Sequence, residues 1–61
     1  MMQVGSQVLC RPEWEFGVRH GYDKNPGVIV ALLQDEIFEI YWQDGHISLA
    51  SENELRPYYQ S

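Results

Sequence analysis

The side chains able to do covalent or coordination chemistry are few: Cys10, His20 and His46, with Asp23, Asp35 and Glu36 among the acids. A thiol beside an imidazole can make a nucleophile and its base, so Cys10 with His20 or His46 is one candidate grouping. No third group that would orient the base is recognisable, and no loop offers an oxyanion hole. Cys10 shares its apolar parity with Val4 and Val8, which reads better as a buried structural thiol. His20, Asp23 and His46 could ligate a metal, but their spacing fits no ligand motif, and surface histidines are the stronger reading. One cysteine allows no internal disulfide, excludes a cysteine-rich zinc site and suits a reducing compartment. Asp35-Glu36 reads as a solvated turn. An enzyme site needs about 300 Å³ or more, which a 61-residue chain can hardly enclose. The expectation is a protein without catalytic residues, metal or cofactor.

The other chemistry is aromatic. Two Trp, four Tyr and two Phe exceed what so small a core can hold. Phe38 and Trp42 are expected inside. Trp14, Phe16, Tyr22, Tyr41 and Tyr58 are the candidates for a partner-binding surface, because exposed Trp and Tyr anchor interfaces. Against this, Trp14 and Tyr58 could simply lid the ends of the fold.

The elements that must position these residues are strand-like nearly throughout. The first strand is expected over residues 4–11, interrupted at Pro12, which has no N–H for a ladder. Residues 12–26 hold Pro12, Gly17, Gly21, Asn25 and Pro26 and read as one long loop. Such a loop is uncommon unless it is functional. Gly27 opens a second strand over 28–33, apolar on both faces and therefore expected buried on both sides. Gln34-Asp35-Glu36 is a short polar turn. The third strand, 37–42, puts Phe38, Ile40 and Trp42 on one face and Glu39 and Tyr41 on the other. Asp44-Gly45 is the strongest hairpin signal. The fourth strand, 46–50, turns Ile47 and Leu49 towards one face. Ser51 with Glu54 spells a capping box and one 3₁₀ turn. A short fifth strand carries Leu55 and Tyr58, bent at Pro57, and Gln60-Ser61 is expected to fray. The core predicted from strand parity contains Val8, Cys10, Ile29, Phe38, Ile40 and Trp42, then Ile47, Leu49 and Leu55. The fold class expected is all-β: residues 1–61 as a single five-stranded, strongly bent antiparallel barrel, with one short 3₁₀ turn and no helix beyond one turn.

The stretches Val4-Gly5-Ser6-Gln7-Val8, Gly27-Val28-Ile29-Val30, Ile40-Tyr41-Trp42-Gln43-Asp44-Gly45 and Asn53-Glu54-Leu55 cover most of the chain. In this order they resemble the Src-homology-3-like barrels, in particular the Tudor and KOW branch found among small phage or bacterial accessory proteins. The resemblance specifies a core and two turns. It implies an aromatic cage for methylated lysine or arginine, held by cation–π attraction. Trp14, Tyr22 and Trp42 would fall at or near cage positions, while Ser48 stands where the fourth aromatic is found.

Four Lys or Arg against nine Asp or Glu give a net charge of −5. Nucleic-acid affinity comes mostly from neutralised phosphates, and so acidic a chain repels a polyanion. The longest apolar run, Val28 to Leu33, falls far short of the roughly 20 residues that span a bilayer. The N-terminus lacks the basic and apolar regions of a signal peptide, so a cytoplasmic protein is expected. The function expected is a protein–protein interaction module, an adaptor or inhibitor docking on a larger assembly through a partner with a basic surface. The alternatives are a KOW-like transcription or translation accessory bound to nucleic acid, which the charge opposes, and a structural subunit of a redox or photosynthetic complex. Exposed edge strands make a homodimer possible.

Overall fold

Alternating apolar residues lay down five strands, and the turns between them set an antiparallel order. The computed structural model describes residues 2–59; the expected fraying of Gln60 and Ser61 lies outside them. The strands are β1 (Gln7–Cys10), β2 (Gly27–Leu32), β3 (Ile37–Tyr41), β4 (Ile47–Ser51) and β5 (Leu55–Pro57). They form one sheet in the order β4-β3-β2-β1-β5, antiparallel at each junction. β4 and β5 are its edges and do not pair with each other, so the sheet is not closed into the expected barrel. The 3₁₀ turn Glu52–Glu54 joins these edges. Its capping box forms as the sequence predicts: the Ser51 N–H donates to Glu54 Oε1 at 2.9 Å.

A second 3₁₀ turn, Gln34–Glu36, joins β2 to β3, where one such turn had been expected in the whole chain. Asp35 (φ 59°) and Glu36 (φ 62°) both take the left-handed conformation there. The first strand is shorter than the predicted 4–11. Gly5 turns the chain at φ 95°, and the Ser6 N–H closes back on the Gln3 carbonyl at 2.9 Å.

The predicted loop 12–26 contains a short helix, α1 (Glu15–Arg19). At five residues it exceeds the single turn expected. Glu15 in its first turn and Arg19 in its last suit the helix dipole. It stops at Gly21 (φ 81°), where the Gly21 N–H bonds the Val18 carbonyl and the Tyr22 N–H bonds the Gly17 carbonyl. This is a Schellman ending. Gly17 misleads the sequence reading, since glycine is a poor helix former. Its role is steric: a Cβ there would lie 2.7 Å from Cys10 Sγ and 2.6 Å from Trp14 Cε3. The bare backbone lets α1 lie directly on β1.

The core joins Val8, Cys10, Ile29, Phe38, Ile40, Trp42 and Leu55, as strand parity predicts, and adds Tyr22 and Ala50. Ile47 and Leu49 are corrections: each is 57% exposed. Asp44-Gly45 read as a two-residue hairpin would set Trp42 opposite Ile47. The loop instead takes three residues, Gln43, Asp44 and Gly45, with Gly45 at φ 91° and the Trp42 N–H bonded to the His46 carbonyl at 2.9 Å. Three-residue hairpins place a left-handed residue at this position. The extra residue slips the register by one, which exchanges the faces of a strand. Phe38 thus pairs with Ala50 and Ile40 with Ser48, while Tyr41 pairs with Ile47 and Glu39 with Leu49. β2 is corrected too. Val28 and Val30 are exposed rather than buried, and a register shift between Ile29 and Ala31 leaves Val30 as the extra residue of a bulge.

Candidate interaction surface

The five predicted aromatics do not converge. α1 and the segment after it gather Trp14, Phe16 and Tyr22. The Trp14 and Phe16 rings lie 5.5 Å apart, and Phe16 meets Tyr22 edge-on at 6.4 Å. Tyr22 is buried and stacks flat on Trp42, 4.0 Å apart and 2° from parallel. Tyr41 stands 49% exposed on the opposite face of the sheet, and neither it nor Tyr58 joins the ring contacts found among the described residues. Tyr58 is half-buried beside Met2, Ser6 and Gln7. The reason is geometric. Tyr41 and Trp42 are neighbours on a strand, so they point to opposite sides, and the loop folds over the Trp42 side only.

The same stack corrects the cage implied by the resemblance. Tyr22 and Trp42 cover each other's ring faces and are buried, which leaves no opening between them for a methylated cation. The neighbouring polar groups brace this pair. The Tyr22 hydroxyl donates to Asp44 Oδ2 at 2.9 Å. The His46 N–H donates to Asp44 Oδ1 at 3.0 Å, and His46 Nδ1 lies 3.1 Å from Oδ2. The hydrogen bonds from His46 hold the Asp44 carboxyl down at about 2. Burial pushes Tyr22 up to about 12, helped by the hydrogen bond to Asp44 and by its negative charge.

Cys10 lies fully buried under Gly17. Burial, and then the negative charge of Asp23, push its thiol up, with Arg56 acting the other way; it is held as a thiol. His20 and His46 are exposed and meet edge-to-face at 6.3 Å, each with Nδ1 occupied, by the Phe16 carbonyl and by Asp44. No set of three or more His, Cys, Asp or Glu suited to a metal is gathered among the described residues. A groove of about 360 Å³ runs past Met2, Arg11, Glu52, Asn53, Leu55 and Pro57, more space than the chain length suggests. Arg11 on its wall donates from Nε to the Leu55 carbonyl at 3.0 Å. Among the described residues no helix is long and apolar enough to cross a membrane.

The surface that sequence reasoning missed is the outer face of β2, β3 and β4. Val28, Tyr41 and Ile47 line up in one row across the three strands, and Leu49 follows beside Glu39. With Val30, five large apolar side chains stand 37–57% exposed here around one half-buried carboxylate. Isolated exposed apolar residues are ordinary, but a contiguous group on one face marks an interaction site. The signal was hidden behind the misjudged turn, which sent Ile47 and Leu49 inward. Comparison with protein-family models, with curated proteins and with solved structures found no match.

Proposed function

We propose that this chain is a non-catalytic protein-interaction module, of Src-homology-3-like architecture and acting in a reducing compartment, that docks a partner through the outer face of β2, β3 and β4. The observation that carries this reading is the row Val28, Tyr41 and Ile47, continued by Leu49 and Val30, left in water on strands whose other face packs Ile29, Phe38, Ile40 and Ala50 into the core cluster. Burying such side chains is favourable by about 25 cal/mol per Å². Glu39 within the face and the net charge of −5 favour a basic partner surface. The partner-binding residues in this reading are Tyr41, Val28, Val30, Ile47 and Leu49. Tyr22 belongs to the core and Trp14 packs against it, while Phe16 is 47% exposed beside them and Tyr58 is half-buried elsewhere.

The test compares capture of partner proteins by the wild type, Tyr41→Ala and Trp14→Ala, with thermal melting of each. Tyr41→Ala is expected to lose the captured partner and keep its melting temperature, and Trp14→Ala to melt early. Capture that survives Tyr41→Ala and Ile47→Ser would overturn the reading.

A further inference from the structure

We propose that β4 is a strand-addition site: an extended segment of the partner, with apolar residues at alternate positions and Lys or Arg at its ends, pairs with Ile47–Leu49 and extends the sheet. This rests on the protein-binding reading above and names the mode and chemistry of that binding.

The open backbone follows from the register. Trp42 and His46 are a hydrogen-bonded pair, and in an antiparallel ladder such pairs alternate with non-bonded ones. Ile40 with Ser48 and Phe38 with Ala50 are then the bonded pairs, so Ile47, Leu49 and Ser51 turn their N–H and C=O groups away from β3. The Ser51 N–H meets the Glu54 side chain on that outer side, as this alternation requires. The capping box thus closes one end of the edge. β4 pairs with β3 alone, so the outward N–H and C=O groups of Ile47 and Leu49 face no other strand among the described residues, and no turn or loop backbone bond reaches them. The opposite edge is different: β5 is three residues long and carries Arg56 and Pro57, which blunt it. β4 has neither charge nor proline.

Charge selects the occupant. Between Gly27 and Leu55 there is no Lys or Arg, while Asp35, Glu36, Glu39, Asp44, Glu52 and Glu54 all lie there. Asp44 precedes the open stretch of β4 and Glu52 follows it. A second copy pairing about a two-fold axis at Ser48 would set Ile47 against that copy's Leu49, but also Asp44 against its Glu52, twice. Like charges directly opposite disfavour that arrangement. A strand with basic ends meets opposite charge at both ends, and its apolar residues opposite Ile47 and Leu49 extend the outer apolar face.

The probe is the capped peptide Lys-Lys-Val-Thr-Val-Lys-Lys, titrated into the full chain labelled with ¹⁵N. Saturable shifts of the Ile47 and Leu49 amides are expected. N-methylation of both valines should weaken binding roughly tenfold or more, while N-methylation of the threonine, whose amide faces outward, should not. Exchange of the lysines for glutamate should weaken it likewise. In the protein, Leu49→Pro removes an outward donor that β3 does not use, and Leu49→Lys adds a like charge to the probe while keeping the backbone. Both should bind roughly tenfold less tightly or worse with the spectrum of the fold retained. The proposal is overturned by any one of four results. These are no saturable binding at millimolar peptide, indifference to valine N-methylation, shifts centred on Phe16 and His20, or a peptide-free dimer in sedimentation with the Ile47 and Leu49 amides protected. Partner capture that is lost in Tyr41→Ala but kept in both Leu49 variants would sink strand addition alone; capture indifferent to Tyr41→Ala sinks the protein-binding reading itself.

Discussion

At Gly17 two effects of substitution oppose each other. Gly17→Ala would gain about 1 kcal/mol of helix propensity. The new Cβ would also press within 3 Å of Trp14 and Cys10, and overpacking costs about 1–3 kcal/mol. Sterics should win, because Cys10 belongs to a strand held on both sides and cannot retreat. A denaturant titration should find Gly17→Ala destabilised; a gain in stability would show that α1 sits loosely. The reverse holds at Glu36, whose left-handed φ of 62° costs an L-residue about 1–2 kcal/mol. Glu36→Gly should stabilise by about 0.5–1 kcal/mol after its larger unfolded-state entropy is offset, read from the same titration. Asp44 gives a pH signature. Its folded pKa of about 2 lies below the ordinary carboxylate range. Its contribution is therefore complete above about pH 4 and is lost as pH falls towards 2. Melting temperature against pH should be flatter across that window in Asp44→Asn than in the wild type. Neither Gly17 nor Asp44 was legible in this way. A glycine needed for close approach looks in sequence like a glycine in a loop, and hydrogen bonding across 22 residues, as from Tyr22 to Asp44, leaves no local pattern.

The elements were legible wherever parity was internally anchored. Phe38, Ile40 and Trp42 declare the inner face of β3 without reference to any other strand. β4 has no such anchor: ISLAS is apolar at Ile47 and Leu49 and small at Ser48 and Ala50. Its orientation depends wholly on whether the preceding loop holds two residues or three. A strand that presents its larger side chains to water and its smaller ones to the core contradicts the usual rule of thumb, and the small Ser48 and Ala50 lie beside the large inward Ile40 and Phe38 of β3. Two substitutions test this register. Ile40→Ala should cost about 2–5 kcal/mol, as for a filled core site. Leu49→Ala, at 57% exposure, should cost less than about 1 kcal/mol. Equal losses at the two positions would show that the hairpin turns differently. α1 went unread for another reason. Five residues give too little periodicity, and its only signals are the Glu15 and Arg19 pair, 3.7 Å apart and exposed, and the terminating Gly21.

Across the whole molecule, charge and hydrophobic surface are segregated. The four basic residues sit in the first half of the chain and on β5, while β2 to β4 and their turns are wholly acidic or neutral. Duplex DNA should therefore bind no tighter than the weak non-specific range of roughly 10⁻⁴ M at physiological salt. A gel-shift measurement showing micromolar affinity there would contradict this charge distribution. The strand content, the antiparallel order and the single core were legible in sequence because each follows from local alternation and turn chemistry. The interaction surface was not, because it depends on a register that spans three strands. Cys10 is the chain's single cysteine, fully buried, and roofed by the backbone of α1 at Gly17. A small alkylating reagent reaches it only after that roof lifts, so the rate of labelling counts opening events of the helix. If α1 detaches on its own, labelling will proceed at a rate insensitive to low denaturant. If it lifts only when the sheet comes apart, the rate will rise with denaturant as steeply as global unfolding does.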